Sequence, residues 1–236
     1  MRGVIKKLVL GKKIPLKGLP VGAIEKRIKN IKAIWDNKHH NDVGIEKVFR
    51  LFLATSQFLF PGIYIKHFFG KQGSQVQDLA MDVYILFKIF FPFILLYLEY
   101  PHSPFIMAWV IWSVTETILY VPTLIFASDI ISRPGSYRRS MLLLFLNYFE
   151  IIFAFALVYA HGHYLNKPFQ TWYDPIYFSF TTLATIGFGD YYPVAGYGKI
   201  LVCMQSMLFL MFVVLFINYF SNKVEDKGYF DPKNTD

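Results

Sequence analysis

The chain has 236 residues, is 55% hydrophobic and 19% aromatic, and has a mean hydropathy of +0.38. A soluble domain of this length does not need so much apolar surface, and several long apolar runs place the chain in a membrane. The net charge of +8 is gathered at one end, where residues 1–71 hold 15 of the 24 Lys and Arg against four acids. A basic head on an apolar body suits a cytoplasmic, lipid-facing terminus, and no nucleic-acid motif accompanies it. The single cysteine, Cys203, excludes a disulfide within the subunit.

The opening stretch "MRGVIKKLVLGKKIPLKG" makes no signal peptide, because Lys6, Lys7, Lys12 and Lys13 interrupt its apolar runs. In residues 22–35, Ile24, Ile28, Ile31 and Trp35 recur at helical spacing, with Lys26, Arg27, Lys29 and Lys32 on the other side. This predicts a short amphipathic helix with a basic face, suited to a membrane surface or to a neighbouring subunit. Residues 47–69 are apolar but broken by Lys47, Arg50, Gln57, Pro61 and Lys66. They read as an interfacial or re-entrant helical segment kinked near Pro61 and Gly62, with a true span as the alternative.

Four spans follow: 82–100, 103–130, 140–160 and 198–221. The first two are joined by the turn "EYPHSP", which predicts an antiparallel hairpin. Arg133, Arg138 and Arg139 fill the loop before the third span, and Lys223, Lys227 and Lys233 lie in the tail. Four spans with both termini cytoplasmic satisfy this charge map and put residues 161–197 outside. The domain plan is then a basic segment at 1–46, the kinked segment at 47–71 and the hairpin at 80–131. A pore domain at 140–222 and a short cytoplasmic tail at 223–236 complete it.

Between the last two spans, Asp174 and Pro175 predict the start of a short helix, with Asp as N-cap and Pro in the first turn. That helix would enter the membrane from outside and stop near Ala184, its C-terminal end carrying partial negative charge that favours a cation. The chain must then return as non-helical backbone, which is tolerated at membrane depth only where it is buried or lines a pathway. Gly187 and Gly189 accept left-handed dihedrals that Ile186 and Phe188 resist, so successive carbonyls can face one side.

The run "TTLATIGFGDYYP" resembles the signature of potassium channels, T-x-G-[YF]-G-D, and its setting between an outer and an inner helix matches that family as well. The resemblance, which covers about residues 140–222, implies a re-entrant pore helix and a filter; with the four spans per subunit this gives an all-α membrane protein, and one motif per chain implies a homotetramer. It implies K+ sites built from the carbonyls of Thr185, Ile186, Gly187 and Phe188, with Gly189 closing the motif. Asp190 would support the filter from behind, hydrogen-bonded to Tyr177, and Thr181 would brace it through its hydroxyl. Phe188 stands where Tyr is commoner. Alternatives are a non-selective monovalent cation channel and a non-conducting, pore-like regulatory subunit.

No span carries regularly spaced Arg or Lys, so a conventional voltage sensor is not expected. Phe209 occupies the place of the family's hinge glycine, which points to gating at the filter or at an apolar constriction of Val213, Ile217 and Ser221. The tail beyond Ser221 is too short for a ligand-binding regulatory domain. Lys88, Glu116 and Glu150 are ionisable groups inside spans, each costing about 2.5–3.5 kcal/mol at a helix centre, and so are modulatory candidates. Lys88 and Glu116 are placed to pair across the hairpin, while Glu150 has Asn147 and Tyr148 beside it. His161 and His163 lie near the outer mouth, where they suit pH sensing or simply an exposed loop. No nucleophile-plus-base cluster and no metal-ligand spacing points to an enzyme, and transport down a gradient requires no cofactor beyond the permeant K+. The expected partners are other copies of the chain and membrane lipids, with anionic headgroups at the basic N-terminus. The expected location is a multi-pass position in the cell membrane.

Overall fold

A computed structural model describes residues 22–38, 42–99, 103–127 and 137–221. These residues are almost wholly helical, with one isolated β-bridge between Leu165 and Pro193. The amphipathic helix is present as α1, Ala23–Trp35. Its Ile31 and Ile34 pack with Leu51, Ala54 and Ala127, while Ile28 and Trp35 stay exposed. The expected apolar face therefore divides between a helix contact and an open strip.

The kinked segment forms α2, Ile45–Ser56, a short 3-10 turn at Gln57–Leu59, and α3, Pro61–Gly70. The two halves are bent by 69°. Phe60 is extended, with φ −121° and ψ 152°, because the residue before a proline is pushed out of the helical region, and Pro61 then opens α3.

Among the described residues, four helices are long and apolar enough to cross a membrane, and the chain is an all-α membrane protein. They are α4, Ser74–Tyr97, α5, Pro104–Phe126, α6, Tyr137–His161, and a last helix, Gly196–Ser221. The first begins earlier than its apolar run because polar Ser74, Gln75, Gln77 and Asp78 continue the helix past the hydrophobic stretch. Pro92 and Pro122 lie inside helices without ending them, as neighbouring helices permit in membranes.

The two arms α4 and α5 meet mainly through long side chains. Phe87 and Phe91 pack edge-on against Trp109, with ring centroids 5.5 and 4.8 Å apart. Their backbones pack more closely on α6 than on each other, so the hairpin is opened around the third span rather than closed on itself. At one end Arg139 ties α6 to α4, with its guanidinium 3.0 Å from Asp78 and 2.5 Å from Asp82.

The short helix between the last two spans is α7, Asp174–Leu183, and the last helix is α8, Gly196–Ser221. The main core gathers α5, α6, α7 and α8, with Ile151, Ile152, Tyr159, Leu183, Phe212 and Leu215 almost fully buried. The backbone after the C-terminal end of α7, from Thr185 to Asp190, is exposed.

Candidate functional site

The segment after α7 is built from its backbone outward. Thr185, Gly187 and Gly189 have φ of +57°, +55° and +81°, whereas Ile186 and Phe188 between them do not share this left-handed conformation. Alternation of hand turns successive carbonyls toward one side. Ile186 and Gly187 donate their amides back to the Thr181 carbonyl at 2.9 and 3.3 Å, and Thr185 donates to Thr182 O at 3.1 Å. Among the described residues, no donor reaches the carbonyls of Thr185, Ile186, Gly187 or Phe188. Thr181 thus braces this backbone through its carbonyl. Its hydroxyl, expected to do so, instead bonds within the helix to Tyr177 O at 2.9 Å and Phe178 O at 3.2 Å.

Glycine is required at 187 and 189 for dihedral reasons alone, since a Cβ there would meet nothing within 4 Å. Side chains and backbone from Thr185 to Asp190 are exposed in the single subunit. Phe188 lies parallel to Tyr177, with centroids 6.1 Å apart and an interplanar angle of 6°, so stacking takes the place of an aromatic hydroxyl bond. The Tyr177 hydroxyl also interacts with the Asp190 carboxylate.

The outer end is fastened by a loop that the sequence reading left unassigned. Asn166 donates through its side-chain amide to Asp190 O at 3.3 Å and accepts from Tyr192 N at 3.0 Å. Its own backbone N donates to Tyr192 O at 3.0 Å. Val194 N donates to Tyr164 O at 3.0 Å. Asp174 does not cap α7 with its side chain; its carboxylate faces outward and accepts from Gln170 N at 2.8 Å, Thr171 N at 2.9 Å and Tyr191 Oη at 3.1 Å. Slight burial acts to raise its pKa, but hydrogen bonds from Thr171, Gln170 and Tyr191 outweigh it and hold the carboxyl below its ordinary value. Lys167 sits 4.5 Å from the centre of the Tyr191 ring.

The inner end rests on a buried polar clamp. Gln205 is fully buried in α8. Its amide nitrogen donates to Ser179 O at 3.0 Å and to Ser179 Oγ at 2.8 Å, and its oxygen accepts from Tyr159 Oη at 3.0 Å. Ser179 Oγ in turn donates to Ile152 O at 2.7 Å. α6, α7 and α8 are therefore linked by one chain of hydrogen bonds.

Along α8, Ile200, Met204, Met207, Leu210, Val214 and Ile217 form an exposed stripe at helical spacing. Ile217 is on it, Val213 borders it half-buried, and the side chain of Ser221 lies outside the described residues. The helix continues through Phe209 without a break.

Lys88, Glu116 and Glu150 form one buried cluster. Lys88 Nζ is 3.3 Å from Glu116 Oε2 and 2.9 Å from Glu150 Oε1. The pairing expected across the hairpin is present, and Glu150 joins it from α6 rather than resting on Asn147 and Tyr148. Thr117 Oγ1 accepts from Lys88 at 2.8 Å and donates to Glu150 at 2.9 Å. Tyr84 Oη donates to Glu116 Oε2 at 2.5 Å and Gly62 N donates to Oε1 at 3.0 Å. His161 and His163 are exposed at the end of α6, and among the described residues no group of His, Cys, Asp and Glu is placed to hold a metal ion.

Residues 141–226 match the family model described as ion channel. The match covers about a third of the chain and makes this stretch similar to ion channel domains. The matched stretch takes in most of α6, then α7, the left-handed segment and α8. Searches of curated proteins and of solved structures return no match.

Proposed function

We propose that four copies of this channel subunit assemble around a shared axis and conduct K+ passively. The observation that carries this reading is the run of four unbonded carbonyls from Thr185 to Phe188, set on an alternating backbone at the C-terminal end of a pore helix. Rings of such oxygens can replace the water shell of a monovalent cation. Exposure of this run, and of the stripe on α8, in the lone subunit supports burial against other copies. Asp190 and Tyr177 support the outer half of the filter, and Thr181 the inner half. In the cell membrane, the basic N-terminus and the tail are cytoplasmic. The chemistry is transport, with no catalytic step.

We assign the gate to the filter or to the apolar stripe near Ile217, since beyond Gly198 α8 has no glycine or proline at which to bend. A second reading, a non-selective monovalent cation channel, draws on Phe188, which leaves one aromatic hydroxyl bond behind the filter unmade. Reversal potentials of the full chain in planar bilayers with mixed K+ and Na+ separate the two. A reversal potential following K+ alone, with block by barium, supports the first. Equal permeability supports the second, and the absence of any current refutes both.

A further inference from the structure

The face of the molecule opposite the filter holds two cations without an anion. Arg27, on α1, lies in the field of Tyr120 on α5. Its Nη1 is shielded from solvent and has no hydrogen-bond partner. Lys66, on α3, is half-buried, with its Nζ 5.9 Å from the centre of the Tyr120 ring, and it lies within electrostatic reach of Arg27. Two like charges at one half-buried place repel, and a shielded guanidinium nitrogen without a partner is costly.

The carboxylates nearest to them are committed elsewhere. Glu116 takes Gly62 N on one oxygen and Tyr84 and Lys88 on the other. Asp78 and its neighbour Asp82 take Arg139. Among the described residues, no acid forms an ion pair with Arg27 or Lys66.

We propose that Arg27 and Lys66, converging on Tyr120, hold the phosphate of an anionic lipid headgroup. Arg offers forked donors and Lys a point charge, a combination suited to phosphate oxygens. The place suits a lipid. Arg139, at the start of the span that ends near the filter, shares this end of the molecule, so the cations stand at headgroup level on the far face. Ile28 and Trp35 on α1, and Tyr64 and Phe68 on α3, are exposed apolar side chains on the same two helices, available to acyl chains. The site thus lies between packed helices rather than on a diffuse basic surface. It goes beyond the conduction reading and does not depend on which cation passes.

The test is native mass spectrometry of the full chain in detergent, titrated with dioctanoyl phosphatidylglycerol, dioctanoyl phosphatidylcholine or inorganic phosphate. Saturable binding of phosphatidylglycerol and little of phosphatidylcholine is expected. Arg27→Gln and Lys66→Gln should each weaken it by about tenfold, as loss of one charged hydrogen bond does. Lys29→Gln, an exposed neighbour, should leave it unchanged, and Arg27→Lys and Lys66→Arg should retain most of it even if a glutamine variant folds poorly. Equal loss with Lys29→Gln would mean diffuse attraction and overturn the site. So would wild-type binding by Arg27→Gln and Lys66→Gln together, equal binding of phosphatidylcholine, or full displacement by millimolar inorganic phosphate.

Discussion

A threonine at φ +57° is an uncomfortable residue, because a β-branched side chain resists the left-handed region. Thr185 accepts it because the amides on either side of it in the turn are pulled back to Thr181 and Thr182. The glycines of the motif and Asp190 were legible in the sequence; the hand of Thr185 was not, since its own propensity argues the other way. At Gly187 the dihedral alone decides, so Gly187→Ala should lower stability by about 1–2 kcal/mol and abolish K+ flux. Gly196→Ala, in open space without a positive φ, should do neither. Thermal unfolding in detergent and flux from vesicles measure both. Asp174 gives a pH prediction at the same scale. Its folded pKa lies below the unfolded value, so its hydrogen bonds stabilise fully above about 3.9 and are lost as pH falls through the folded value. Asp174→Asn should therefore flatten the acid limb of thermal stability below about pH 4 and leave neutral-pH slopes alone.

The helices themselves were the most legible elements, because apolar length and the Asp174–Pro175 start are local signals. What joins them was not. Gln205 was visible as a polar residue in an apolar run, but nothing periodic pairs it with Ser179 and Tyr159, which are 26 and 46 residues away. Asn166 was hidden for the same reason, its partners lying across the filter from a loop of ordinary composition. Replacing Gln205 by Leu strands the Tyr159 hydroxyl in a dry interface and removes two bonds to Ser179, whose hydroxyl keeps its bond to Ile152 O. The expected loss is on the order of 1–3 kcal/mol. Bonds between helices in membranes average about 0.6 kcal/mol, so the lower half of that range is expected unless the clamp acts cooperatively. A double-mutant cycle of Gln205→Leu with Tyr159→Phe, read by thermal unfolding, decides. A coupling energy near zero would mean the two side chains stabilise independently and the clamp is no unit.

At the scale of the molecule, the kinked segment, the two arms α4 and α5, and α6 meet at one buried charge cluster. Gly62 contributes its amide from α3, Tyr84 and Lys88 come from α4, Glu116 and Thr117 from α5, and Glu150 from α6. Gly62 has no room for a side chain, because a Cβ would come within 2.5 Å of Glu116 Oε1. One ammonium serves two carboxylates, so the arrangement holds only while Lys88 is present. Removing one partner of a buried ion pair leaves charge without compensation and costs about 3–5 kcal/mol, whereas neutralising all partners together is far milder. Lys88→Met alone should therefore lower the unfolding temperature sharply. Lys88→Met combined with Glu116→Gln and Glu150→Gln should recover most of the loss. Thermal unfolding of the two proteins in the same detergent gives the comparison. If the triple variant were no more stable than Lys88→Met, the lysine would matter for its packing against Tyr84 and Pro92 rather than for its charge, and the three parts would be joined by shape instead of electrostatics.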